Sequence, residues 1–180
     1  MMSKLLDKDG VLLDESTIRF ERLLPGPIER VWAYLTESDK RKQWLAAGEF
    51  ELRKGGKTHM FFQHKNIAKP GTQPPEAFRK MHDEGHRMDG EILEIDAPRL
   101  LTMTFGEHSE VTYELTEQAN GEVLLTLTHR KLTAGDMKNV SPGWHAHLAI
   151  LADRLNNRNE IDFWALWQEK HKHYGEKFSK

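Results

Sequence analysis

The chain has 180 residues, 38% of them hydrophobic and 30% charged, with a formal net charge of −2; this suits one domain with a solvated surface and gives no broad basic footprint for nucleic acid or anionic lipid. Cysteine is absent, which excludes disulfides, thiol nucleophiles and thiolate metal sites. No run approaches the roughly 18 apolar residues of a membrane span. The opening MMSKLLDKDGVLLDES has no signal-peptide core, so a cytoplasmic protein without membrane insertion is expected.

In chain order, residues 1–16 read as a loosely held leader and 17–180 as a single domain. Thr17–Leu24 alternates as a half-buried strand, with Ile18, Phe20 and Leu24 on one face and Arg22 interrupting it. Pro25-Gly26-Pro27 stops that strand, and Pro27 is suited to open a helix carrying Ile28, Val31, Trp32 and Leu35. Ser38 or Asp39 can cap a second short helix ending near Trp44. Two strands, Gly48–Lys54 and Lys57–His64, are expected around a Gly55-Gly56 turn. Residues 65–85, rich in proline, glycine and charge, read as either a disordered connection or a functional flap.

Four closely spaced strands follow, at about His86–Ile95, Leu100–Phe105, Glu110–Leu115 and Glu122–Leu132, with short turns that favour antiparallel pairing. Leu101, Met103 and Phe105 share a face, as do Val111, Tyr113 and Leu115, and Val123, Leu125 and Leu127. The opposite faces carry threonines and glutamate, so one side of the sheet is apolar. Ser141 and Pro142 resemble a helix start, after which Trp144, Leu148, Leu151 and Leu155 form an amphipathic stripe. Asn156–Asn159 should break it. A helical extension from about 158 displays Ile161, Phe163, Trp164, Leu166 and Trp167, enough apolar surface to pack on the domain or to form a homodimer through 160–170.

This order of strand, two short helices, six strands and long helix resembles the START-like (SRPBCC) superfamily, in the branch of activator of Hsp90 ATPase homologues. The carrying segments are RFERLLPGPIERVWAYLTESDKRKQWLAAGEFE, GGKTHMFF, HRMDGEILEIDAPRLLTMTFG, GEVLLTLTHRKL and GWHAHLAILADRLN. The resemblance implies an α+β helix-grip fold, with a curved seven-stranded antiparallel sheet wrapped around the long C-terminal helix and a cavity between them. Relatives at this level include cyclases, lipid carriers, hydrolase-like proteins and co-chaperone domains, so fold alone selects no activity. Activators proper add a separate chaperone-binding domain, for which residues 1–16 are too short.

Of the candidate site residues, His129 continues the inward face of Val123, Leu125 and Leu127; it is either a satisfied core histidine or a group that contacts ligand and moves protons. The other ligand-binding candidates are Trp44, Phe61, Met88, Met103, Tyr113, Trp144, His147, Leu148 and Leu151, each also compatible with ordinary core packing. Arg22 suggests an ion pair with a glutamate at the cavity rim, and His145 is expected to face solvent. His82-Asp83-Glu84-Gly85-His86 lacks a third ligand at a diagnostic spacing, so no metal or other cofactor is expected. The leading reading is a module that binds a small hydrophobic or aromatic molecule. The alternatives are a cyclase, dehydratase or hydrolase working in the same pocket, and a ligand-free interaction or co-chaperone-like protein.

Overall fold

Burial follows the period-two alternation of most strands in the computed structural model, which describes residues 7–179. The strands are β1 (Val11–Asp14), β2 (Thr17–Leu24), β3 (Lys57–Phe62), β4 (His86–Asp96), β5 (Leu100–Phe105), β6 (Ser109–Glu117) and β7 (Val123–Arg130). They form one antiparallel sheet in the order β1-β2-β7-β6-β5-β4-β3. The helices are α1 (Ile28–Thr36), α2 (Ser38–Arg41), α3 (Arg79–Glu84), α4 (Ala134–Leu155) and α5 (Phe163–Phe178). This is the helix-grip fold, with α4 lying across the apolar face of the sheet. Among the described residues, no helix is long and apolar enough to cross a membrane.

The seven strands are not the seven expected. Residues 7–16 do not form a loose leader: β1 pairs with β2, and residues 7–10 are tied to the helices. Residues 1–6 lie outside the described part of the chain. Conversely, 48–54 is not a regular strand. Only Ala47 and Phe50 make isolated bridges, to Phe61 and Thr58. Gly48 sits at φ +119, where a Cβ would lie 1.9 Å from the His59 carbonyl oxygen, so the chain kinks there. The buried Arg41 guanidinium fixes the kink by donating to the carbonyls of Leu35, Thr36 and Gly48 and lying 3.7 Å from the Phe50 ring centroid.

The long helix begins earlier than Ser141. Thr133 Oγ1 accepts the Asp136 N–H at 3.0 Å while the Asp136 carboxylate accepts the Thr133 N–H at 3.2 Å, a reciprocal cap that outcompetes the later signal. Pro142 therefore lies inside α4, and the Ser141 hydroxyl donates back to the Met137 carbonyl at 2.7 Å. Nearly every side chain from Trp144 to Leu155 is buried, because α4 has the sheet on one side and α5 on the other. Asp153 closes the α4–α5 junction by accepting the N–H groups of Glu160 and Ile161.

Helix α5 uses its aromatic face within the chain. Phe163, Trp164, Trp167 and Tyr174 are buried, so most of the aromatic surface packs on the domain, while Ile161 and Leu166 stay partly exposed. It packs partly on residues 65–85, which form an ordered cover holding α3 and 3-10 turns at His64–Asn66 and Glu76–Phe78. Trp164 donates its indole N–H to His82 Nδ1 at 2.9 Å, Gln168 donates to the Gln73 carbonyl, and Phe78 packs against Trp164 and Trp167.

Candidate functional site

Apolar residues fill the seam between sheet and α4 at one end and part at the other. At the β2–β7 end Ile18, Phe20, Leu125 and Leu127 are solidly buried, as are Leu148, Ile150, Leu151 and Leu155 of the helix. Toward β3, β4 and β5 a cleft of about 210 Å³ opens. Phe62, Met88 and Phe105 form its sheet wall, and Val140, Gly143 and Trp144 of α4 form the other. Leu45 lies at one end, Met81 reaches in from the cover segment, and His86, exposed at the start of β4, stands at the edge. Two further histidines, His64 and His147, line the cleft.

Trp144 is held rigidly. Its indole N–H donates to His129 Nδ1 at 2.9 Å, His129 Nε2–H donates to Ser109 Oγ at 2.8 Å, and the Ser109 hydroxyl donates to the Phe105 carbonyl. Because the tryptophan N–H can only donate, Nδ1 of His129 must be the acceptor, which settles the neutral tautomer. Burial, slightly opposed by Asp136, lowers the imidazole pKa to about 4. With 1% exposure and both nitrogens engaged, His129 orients the tryptophan wall, while the imidazoles that border the cleft are His64, His147 and, at its edge, His86.

His147 donates Nδ1–H to the Trp44 carbonyl at 2.7 Å, which leaves Nε2 as the ring's acceptor. Burial brings its pKa down to about 4 against the raising influence of that carbonyl. His64 is 6% exposed, stacks on Phe62, and has its Nδ1 buried without a partner among the described residues. Burial, helped by His147, His82 and His86, lowers its pKa to about 3. Both rings are therefore neutral near pH 7.

The structure brings Met88, Trp144 and His147 to the cleft. Met103, Tyr113, Leu148 and Leu151 are packed in the filled seam instead; Tyr113 touches the cleft only indirectly, edge-on to Trp144 at 6.3 Å. Trp44 is fully buried and contributes through its backbone carbonyl to His147, its indole N–H donating to Tyr34. Phe61 is misplaced by one residue: it is 37% exposed on the outer face, and Phe62 points inward. The same parity of Met60 and Phe62 extends to His64, a signal present in the sequence that identifies both missed residues. Met81, Val140 and Gly143 come from segments whose approach to the cleft is set by tertiary packing.

Other polar expectations shift as well. Arg22 makes no pair with a glutamate; its guanidinium donates to the carbonyls of Lys8 and Glu21. His145 is fully buried rather than solvent-facing. Its Nε2–H donates to Asp7 at 2.6 Å, Nδ1 accepts from the Tyr174 hydroxyl at 2.7 Å, and that oxygen accepts the Gly10 N–H at 2.9 Å. Among the described residues no three histidine, aspartate or glutamate side chains could together hold a metal ion.

A profile of the activator of Hsp90 ATPase homolog 1-like proteins matches residues 25–156. The chain belongs to this family. A Bordetella parapertussis protein solved by solution NMR is similar to this family member at 40% identity, with TM-score 0.77, over 92% of this chain and 88% of that one. A conserved protein of unknown function from Enterococcus faecalis shares the fold at 20% identity and TM-score 0.72, over 99% and 94% of the two chains. CalU16 from Micromonospora echinospora also shares it, at 21% identity and TM-score 0.62, over 88% and 86%. Comparison with curated proteins yields no match.

Proposed function

We propose that the protein binds a small hydrophobic or aromatic molecule in the cleft between β3–β5 and α4. Family membership supports a ligand-binding or co-chaperone-like domain. The observation that favours a ligand is the cleft itself: about 210 Å³ of space walled by Phe62, Met88, Phe105, Val140 and Trp144 beside three histidines. A dry apolar cavity of about 150 Å³ is enough for benzene, so one or two rings fit. Burying roughly 200 Å² of such a ligand gains about 5 kcal/mol before ordering costs, which from apolar burial alone suits affinities of about a millimolar. The cover segment 65–85 supplies Met81 and is tied to α5 through His82 and Gln73. An enzymatic role through His129 finds no support in its geometry, since both ring nitrogens are committed.

The test is ligand retention. Native mass spectrometry and ligand-detected NMR against a set of one- and two-ring aromatics should show binding by the wild-type protein. Met88→Trp, which fills the cleft, should abolish that binding without lowering Tm. Equal binding by wild type and Met88→Trp would refute the assignment of the site.

A further inference from the structure

The polar groups of the cleft narrow the ligand class, an inference that rests on the ligand-binding reading above. His147 gives its Nδ1–H to the Trp44 carbonyl, so a neutral ring can only accept at Nε2. His64 borders the same cleft with a buried Nδ1 that has no partner among the described residues, and the two ring centroids are 5.6 Å apart. His82 is not available to pair with them, since its Nδ1 accepts the Trp164 indole N–H, and His86, at the cleft edge, stays exposed to water. The aromatic walls offer nothing more: Phe62 and Phe105 have no polar atoms, and the Trp144 N–H is committed to His129.

A pure hydrocarbon would seal off His147 Nε2 unpaired, at the cost of burying a polar atom without a partner. A carboxylate brings only acceptors, and pairing it with His147 would require protonating a ring that burial holds neutral down to a pKa of about 4. A neutral hydroxyl donates without carrying charge, which matches the acceptor that a neutral His147 keeps at Nε2. We propose that the cleft selects a neutral, hydroxyl-bearing aromatic such as a phenol or naphthol, its O–H donating to His147 Nε2.

The test is isothermal titration of the whole protein at pH 7.5 with 2-naphthol, 2-naphthoate and 2-methylnaphthalene, three probes of nearly equal shape. The expected order puts 2-naphthol roughly tenfold or more ahead of both others. His147→Phe should bring 2-naphthol down to the level of 2-methylnaphthalene while leaving the hydrocarbon's affinity in place. Imidazole ¹⁵N shifts of the wild-type protein give a readout independent of that variant's folding: the His147 Nε2 resonance should move upfield, as an accepted hydrogen bond requires, with 2-naphthol alone. Binding of 2-methylnaphthalene as tight as that of 2-naphthol overturns the hydroxyl preference but keeps the binding module. Tightest binding of 2-naphthoate overturns it in favour of protonated histidines. If none of the three binds, the ligand-binding reading falls with it.

Discussion

Replacing His129 by alanine would strand the Trp144 indole N–H and remove the donor to the Ser109 oxygen, which keeps its bond to the Phe105 carbonyl. An orphaned buried donor and the void beside it together cost about 2–4 kcal/mol, which urea unfolding of His129→Ala should register. A cost below about 1 kcal/mol would mean that Trp144 is not held through His129. The neighbouring phenylalanines of β3 make a sharper comparison. Phe62→Ala empties a buried position and should cost about 3 kcal/mol or more, whereas Phe61→Ala, on a partly exposed ring, should cost less than half as much. Denaturant midpoints of the two variants check the pair, and the reverse order would place the wrong face against α4.

Among the elements, α4 shows how two capping signals compete. Thr133 with Asp136 closes a reciprocal cap and Ser141 does not start the helix; Thr133→Ala should therefore lose about 1 kcal/mol. Ser141→Ala should be nearly neutral, because alanine favours a helix interior where the serine hydroxyl only bonds back to Met137. Equal losses in thermal unfolding would contradict this start. The alternation of β5, β6 and β7 was readable from the chain because most inward residues are apolar and most outward ones polar, a contrast carried locally. The segment 48–54 alternates much less clearly and is shaped by Arg41, a residue on another element. β1 escaped notice since Val11, Leu12 and Leu13 remain exposed and give no period.

Across the whole molecule, burial keeps several histidines neutral at once. His129, His145 and His147 have pKa values of about 4, and His64 of about 3, all below the ordinary 6.5. The unfolded chain takes up protons near pH 6.5 while the folded one resists until about 4, so stability is complete above 6.5 and falls as pH drops through that window. At pH 5 each such histidine gives up at most about 2 kcal/mol. Urea midpoints should therefore decline steeply between pH 7 and 5, well before Asp9, whose carboxyl is held at about 2 chiefly by His173 and Lys177 against burial, is protonated. A flat profile in that interval would contradict the buried neutral rings. Which residues face inward along β5 to β7, where the chain turns at Asp96–Pro98 and Gln118–Gly121, and that α4 presents an apolar stripe all follow from neighbours within a few positions, and so could be read from the chain directly. That His145 meets Asp7 and Tyr174, that α5 covers the back of α4, and that the seam is filled at β2 yet open at β3 depend on contacts between residues far apart in the chain. Local periodicity says which way a side chain points; what it meets there is set by how the layers close.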